Sequence, residues 1–108
     1  MKIMPVVVFV ITLCLLSTPG FAEKAVKGKS GEELFKTHCS VCHPSGGNII
    51  NPRKTLRKGD REANSVKTPA DIVGKMRNPG PGMTRFDKKT IPDADAKKIA
   101  DYIVNTFK

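Results

Sequence analysis

A five-residue motif, Cys39-Ser-Val-Cys42-His43, constrains this chain more than any other feature of its sequence. If these residues occupy one helical turn, positions i, i+3 and i+4 share a face, so the two thiols and the imidazole project together. Pro44 and the glycines that follow it end any helix directly after the motif. The sequence therefore predicts a compact cluster of two thiols and one imidazole on a single surface.

The start of the chain has the pattern of a secretory signal peptide. Lys2 precedes an apolar run from Ile3 to Leu16, and small residues stand at positions 20 and 22. An uncleaved membrane anchor is the alternative, but the run is shorter than the roughly 20 apolar residues that a spanning helix needs. We predict a signal peptide over residues 1–22, a flexible leader over 23–29 and one domain over 30–108.

Composition indicates that this domain has too few large apolar side chains to form a stable core by itself. Removal of the signal leaves Cys39 and Cys42 as the only cysteines, and 18 Lys and Arg against 10 Asp and Glu give a net charge of about +8. The chain has no Trp and one Tyr, so a domain of this size is short of large apolar side chains. A bound cofactor could supply the missing apolar volume.

Capping residues and apolar spacing predict four helices and no strand. Ser30 and Glu33 form a capping box for a first helix that begins near Gly31. Asn51, Pro52 and Gly59 suggest a short second helix with Leu56 on its surface, and Thr68 caps a third with Ile72, Val73 and Met76 on one face. The last helix begins near Asp93 and carries an apolar stripe of Ala96, Ile99, Tyr102, Ile103 and Phe107.

Several chemistries use paired cysteines beside histidine. Structural zinc usually takes two ligand pairs from separate parts of a chain, whereas His38, Cys39, Cys42 and His43 lie within six residues. A redox dithiol of the thioredoxin type needs a preceding strand, and a disulfide closing so short a loop would stabilise little. Covalent haem explains more, because two thiols can bond the edge of the macrocycle while the next histidine binds its iron. The sequence favours one haem c, with a thiol role as the minor alternative.

The other side of the iron has three candidate ligands, His38, Met76 and Met83. His38 directly precedes Cys39 and is expected on the surface, and Met76 lies on a helix face where methionine usually packs. Met83 follows "NPGPG", a loop that gives an exposed methionine no packing role. We favour Met83 as the second axial ligand and keep Met76 as the alternative.

The motifs "CSVCH" and "GMTRF" together resemble those of the small single-haem class I cytochromes c, and particularly the cytochrome c6 branch. The resemblance extends over residues 30–108 and implies an all-α cytochrome c fold, with about four helices wrapped around one covalently bound haem. It implies thioether bonds at Cys39 and Cys42, and axial ligation of the iron by His43 and Met83. Thr84 is a departure, because the family often has proline after the ligand methionine.

The same resemblance implies how the helices meet. Phe35 and Tyr102 would pack the first helix against the last, and Gly31 would allow the two backbones to approach closely. A backbone carbonyl is also expected to orient the ring of His43, and we predict it within residues 48–51.

Basic residues form two groups, of which the first is a candidate docking site and otherwise a solvated face. The groups are Arg53, Lys54, Arg57, Lys58 and Arg61, and then Lys88, Lys89, Lys97 and Lys98. A positive surface speeds encounter with acidic partners. Nucleic acid is not an expected partner, because the chain carries an export pattern and no aromatic residues alternate with the basic ones.

We predict a bacterial periplasmic electron carrier that is not an enzyme. It would be soluble and monomeric after signal removal, and would shuttle single electrons between redox partner proteins with acidic docking surfaces. One alternative is a haem peroxidase or gas sensor with a displaceable sixth ligand. Another is a regulatory module that docks without moving electrons.

Overall fold

The computed structural model describes residues 28–108, which form an all-helical domain. Its helices are α1 (Gly31–His38), α2 (Lys58–Ala63), α3 (Pro69–Arg77) and α4 (Asp93–Thr106), with a short 3-10 turn at Pro44–Gly46. This range contains no β-strand, and none of its helices is long and apolar enough to cross a bilayer. The predicted signal peptide lies outside the described residues, as does most of the leader.

The predicted capping box at Ser30 and the predicted N-cap at Thr68 are both confirmed. At the start of α1, the backbone N–H of Glu33 donates to Ser30 Oγ over 3.2 Å, and Ser30 N–H donates to Glu33 Oε2 over 2.9 Å. At the start of α3, Thr68 and Asp71 make the same reciprocal pair. Each box satisfies backbone donors that have no partner within the helix, which fixes where α1 and α3 begin.

The second helix does not lie where the sequence predicts it. Asn51 does not cap a helix; its Oδ1 accepts from the backbone N–H of Arg53 over 3.0 Å and closes a local turn. The helix begins at Lys58, one position before the residue expected to end it. The prediction for Leu56 was also wrong, because its side chain is partly buried and packs against the core.

Helix α4 crosses α1 at close range and also packs on α3. The rings of Phe35 and Tyr102 lie 5.3 Å apart, as the resemblance implied. A β-carbon added at Gly31 would lie 2.3 Å from the backbone oxygen of Lys98, so only glycine permits this approach. Besides Phe35, the buried core consists of Leu34, Ile72, Met76, Ile91, Ala96, Ile99, Ala100 and Ile103.

A second tight contact joins the C-terminal end of α4 to the segment after the cysteine motif. Gly46 has a φ of +79°, and a β-carbon there would lie 2.4 Å from the ring of Phe107. Phe107 also lies 5.4 Å from Phe35, ring centre to ring centre. The last helix therefore holds both sides of the cysteine–histidine segment.

Candidate haem-binding site

The cysteine motif continues α1 by one further helical turn. Cys39 is the C-cap of α1, and its N–H donates to Phe35 O over 2.8 Å. The N–H groups of Cys42 and His43 then donate to Cys39 O over 3.2 and 2.9 Å. All three side chains line the same cavity, so the one-face geometry predicted from their spacing is present.

A tight turn after the motif orients His43. Ser45 and Gly46 both have positive φ, and the chain turns back so that His43 Nδ1 lies 2.7 Å from Gly47 O. Because a carbonyl only accepts, Nδ1 carries the proton and Nε2 keeps its lone pair. The prediction of residues 48–51 for this carbonyl was wrong by one position, since the two positive φ angles shorten the turn.

The cavity has a volume of about 400 Å³, within the usual range for sites that hold small molecules and cofactors. Apolar side chains from α3, α4 and the connecting loops form most of its wall, and polar side chains gather at residues 48–64. The lining residues other than Cys39, Cys42 and His43 are Asn48, Ile50, Asn51, Lys54, Thr55, Leu56, Asp60, Arg61, Asn64, Val66, Ile72, Lys75, Met76, Gly80, Pro81, Gly82, Met83 and Ile103.

The three candidate sixth ligands lie in different environments. His38 does not line the cavity; its ring packs edge-on against Phe86, with 6.1 Å between ring centres. Met76 lines the cavity from α3 and is buried in the core. Met83 lines it from the irregular segment between α3 and α4 and is partly exposed. Two thioethers therefore reach the cavity, and the imidazole of His38 does not.

Arg61 is a lining residue that the sequence did not reveal. The sequence grouped Arg61 with several charged residues expected on the surface, but its side chain is only 5% exposed. Its Nε donates to Leu56 O over 2.8 Å, and no carboxylate of the described residues lies within ion-pair distance of it. Charged residues flank Arg61 on both sides, so no apolar periodicity could have identified it as buried.

The protonation of Cys39 argues against a redox dithiol. Burial raises the pKa of the Cys39 thiol to about 11, so the free side chain is uncharged at neutral pH. Reactive Cys-x-x-Cys thiols have a lowered pKa, because the thiolate is the nucleophile.

Within residues 28–108, no three His, Cys, Asp or Glu side chains converge as ligands for a metal ion.

The donor set and the shape of the cavity fit a haem. A haem has two apolar faces, a carboxylate edge and an iron that binds imidazole and thioether. The cavity offers apolar walls, two thiols, an imidazole with a free Nε2 and two thioethers. Its polar side includes the buried guanidinium of Arg61, which has the charge opposite to a carboxylate.

Comparison with known proteins agrees with this fit. A family model described as cytochrome c oxidase, cbb3-type, subunit III, matches residues 26–103. Cytochrome c6 of Cyanidium caldarium is 31% identical over 100 residues, which cover 93% of this chain and 90% of that protein. The chain belongs to the class I c-type cytochromes, small electron carriers that hold one covalently attached haem with its iron.

Two solved structures show the same fold. The outer membrane cytochrome F (OmcF) of Geobacter sulfurreducens is 52% identical, with a TM-score of 0.71, and the match covers 73% of this chain and 100% of that one. Cytochrome c6C of a Synechococcus species is 22% identical, with a TM-score of 0.68, over 73% of this chain and 95% of that one. The predicted fold class and the predicted resemblance to cytochrome c6 are thus confirmed.

Proposed function

We propose that this protein is an exported one-electron carrier whose haem is bonded to Cys39 and Cys42 and whose iron is bound by His43 and Met83. The observation that carries the proposal is the convergence of two thiols, an oriented imidazole and a thioether on one apolar cavity. When bound, the haem supplies a ferric–ferrous couple. The residues of the chain then decide how that couple behaves.

Each lining group has a physical role in this proposal. The hydrogen bond between His43 Nδ1 and Gly47 O holds the imidazole ring and increases its basicity. The Met83 thioether is a soft, neutral donor that favours ferrous iron and raises the reduction potential. The apolar wall excludes water, and this less polar environment also favours ferrous iron, which has the lower charge of the two oxidation states.

Arg61 is proposed to interact with the carboxylate edge of the haem. A buried guanidinium that donates only to backbone carbonyls is costly unless an anion accompanies it. Arg61→Met should therefore lower the reduction potential and make it depend more on pH, whereas Arg61→Lys should retain much of the wild-type value. A reduction potential that is unchanged in both variants would show that Arg61 does not interact with the haem.

The proposed location is the bacterial periplasm. The signal-like sequence of residues 1–22 supports export, and so does the similarity to OmcF, an outer membrane cytochrome. The proposed partners are redox proteins with acidic docking surfaces, the protein acts as a monomer, and it has no enzymatic role. Cell fractionation of the native host, with the mass of the purified chain, tests export, signal removal and haem attachment together.

A second candidate function is a haem peroxidase or gas sensor. It is favoured by the position of Met83 in a Gly- and Pro-rich loop, where the backbone N–H donates to Gly80 O over 3.4 Å, a weak hydrogen bond. A ligand on such a loop could be displaced. A regulatory module that docks without moving electrons is a third candidate.

Spectroscopy and kinetics separate these functions. The carrier should be low-spin in both oxidation states, should show a sulfur-to-iron charge-transfer band when oxidised, and should resist carbon monoxide. Ready carbon monoxide binding by the reduced wild type would contradict His43 and Met83 ligation and favour the sensor or peroxidase. Failure of the reduced protein to pass an electron to any protein or inorganic acceptor would favour the regulatory module.

A further inference from the structure

The segment that carries Met83 has little internal structure to hold it in place. Residues 78–85 form neither helix nor strand, and the Met83 N–H donates to Gly80 O over 3.4 Å, a weak hydrogen bond. Pro79 and Pro81 have no backbone N–H to donate. The position of the Met83 thioether therefore depends on how the two ends of this segment are held.

Phe86 holds the C-terminal end of the segment by two contacts. Its backbone N–H donates to Met76 O over 2.9 Å, so the chain returns to α3 soon after Met83. Its ring packs edge-on against His38, the last residue of α1, with 6.1 Å between ring centres. The segment is therefore a loop that is closed at its base, and the closing residue also contacts the end of α1.

Arg77, the last residue of α3, adds to this closure through its side chain. Its Nη1 donates to Phe86 O over 3.1 Å, and its Nη2 donates to Asp93 Oδ1 over 2.9 Å. Asp93 is the first residue of α4, so one guanidinium joins α3, the end of the loop and α4. The Arg77 side chain is 20% exposed, so water screens these contacts less than those of a fully exposed ion pair.

Asp93 has a partner that its neighbour in the same helical turn lacks. The hydrogen bond from Arg77 holds the pKa of the Asp93 carboxyl below its ordinary value of 3.8, so this group is charged at neutral pH. Lys88 lies 3.4 Å from its other oxygen. Asp95 also lies in the first turn of α4, but it makes no ion pair within residues 28–108. Both carboxylates can interact with the helix N-terminus, whereas only Asp93 reaches Arg77.

We propose that the ion pair of Arg77 and Asp93 positions the axial ligand Met83. By closing the loop at Phe86, the pair slows the departure of the thioether from the iron. Contacts behind a metal ligand commonly fix its orientation and its affinity in this way. The inference rests on the proposed function and adds two residues that do not line the cavity, and a loop held closed favours the carrier over a function that needs a displaceable ligand.

Replacement of Met83 by imidazole in the oxidised holoprotein measures the departure of the thioether. One sulfur–iron bond breaks and one nitrogen–iron bond forms, with no change of oxidation state. Because imidazole binds only after the sulfur has left, the rate at saturating imidazole is the rate of sulfur dissociation. The readout is the loss of the sulfur-to-iron charge-transfer band in stopped flow, at a pH where imidazole is uncharged.

Arg77→Leu should raise this rate about 10-fold, since it removes both the ion pair and the hydrogen bond to Phe86. Asp93→Asn should raise it about 3-fold, and the double variant should be no faster than Arg77→Leu alone. Arg77→Lys keeps the charge without the forked geometry and should lie between Arg77→Leu and the wild type. Asp95→Asn is the matched control, with the same change of charge in the same turn, and should leave the rate unaltered.

Hydrogen exchange of the Phe86 amide is an independent readout, because its bond to Met76 O closes the loop. This exchange should accelerate in the same order of variants, while exchange of the α1 amides should not change. Equal imidazole rates in Asp93→Asn and Asp95→Asn, or effects that multiply in the double variant, would overturn the proposal. A lower free energy of unfolding with unaltered imidazole and exchange rates would also overturn it, since the pair would then stabilise the fold alone.

Two further variants keep the proposal falsifiable. If Arg77→Leu does not accumulate, Asp93→Asn decides, because that side chain is 66% exposed and its replacement disturbs no buried contact. Met83→Ala should lack the charge-transfer band and bind imidazole without the slow step. If Met83→Ala instead matches the wild type in both respects, the proposed ligation fails and this inference fails with it. The expected result for Met83→Ala, with unaltered Arg77 and Asp93 variants, defeats only the positioning role.

Discussion

Replacement of Gly31 by alanine tests the close crossing of α1 and α4. A β-carbon at this position would lie 2.3 Å from the Lys98 backbone oxygen and 3.0 Å from Tyr102 Cβ. A carbon and an oxygen in contact normally lie more than 3 Å apart, so the helices must separate by about 1 Å or deform. Backbone atoms cannot swing aside as the end of a flexible side chain can.

The expected cost follows from the contacts that this separation disturbs. Overpacking a close contact costs about 1–3 kcal/mol, and part of the Phe35–Tyr102 ring contact, worth about 0.5–1.5 kcal/mol, is also lost. The better helix propensity of alanine returns less than about 1 kcal/mol. Gly31→Ala should therefore lower the free energy of unfolding by about 2–3 kcal/mol, or Tm by about 10–20 °C.

Gly74→Ala is the matched control. Gly74 lies inside α3, and a β-carbon there would meet nothing within 4 Å. The same substitution should here stabilise the protein by about 0.5–1 kcal/mol, because alanine is the better helix former. Thermal and denaturant unfolding of both holoproteins, followed by far-ultraviolet circular dichroism, measures the two changes. Two shifts of the same sign, or an unaltered Gly31→Ala protein, would refute the proposed crossing.

Further substitutions test the site and the helix caps. Met83→Ala should increase carbon monoxide affinity strongly and lower the reduction potential. Met76→Ala should mainly lower the stability, by about 2–5 kcal/mol, because it truncates a buried side chain. If carbon monoxide titration and potentiometry show the reverse pattern, Met76 and not Met83 is the ligand. Cys42→Ala should leave little stable holoprotein, and normal accumulation of a folded, haem-free variant would show that the cofactor is not part of the core. Hydrogen bonds from Thr68 and Lys67 hold the pKa of Asp71 below its ordinary value of 3.8, so its stabilising effect is present above that pH and disappears as pH falls below it. Asp71→Asn should thus be less stable at neutral pH and lose less stability on acidification than the wild type does, and parallel pH profiles of unfolding free energy would contradict this.

Short-range sequence patterns predicted those features of the fold that depend only on residues close together in the chain. The capping boxes at Ser30 and Thr68 each use a side chain and a backbone group three residues apart, so the sequence contains the whole interaction. The apolar stripe of α4 was predicted for the same reason, since its period is that of the helix. Such features do not depend on the rest of the chain.

The errors occurred where the same residue types serve two conformations. Asn51 followed by Pro52 suits a helix N-terminus, but the asparagine side chain satisfies an equally local turn. Helix α2 instead begins after Arg57, which makes no side-chain capping bond, so no cap marked its start. A six-residue helix is too short for periodicity to correct the error.

In the candidate site, the donors were predictable and their surroundings were not. The types and spacing of Cys39, Cys42 and His43 suggest their chemistry without a structure. The carbonyl partner of His43 depends on a serine with positive φ, which is uncommon for a residue other than glycine. The burial of Arg61 depends on contacts with Leu56 and with Phe107, and the latter is 46 positions away.

These distant contacts have a consequence for the order in which the molecule forms. Lys98 reaches back to Lys29, 69 positions earlier, so α1 and the turn after it obtain their partner only when α4 arrives. Closing so large a loop is slow compared with local helix formation. In the folded chain, burial raises the pKa of the Cys39 thiol to about 11. The segment that carries the cysteines and His43 therefore gains its packing against Phe107 only when the whole chain is available.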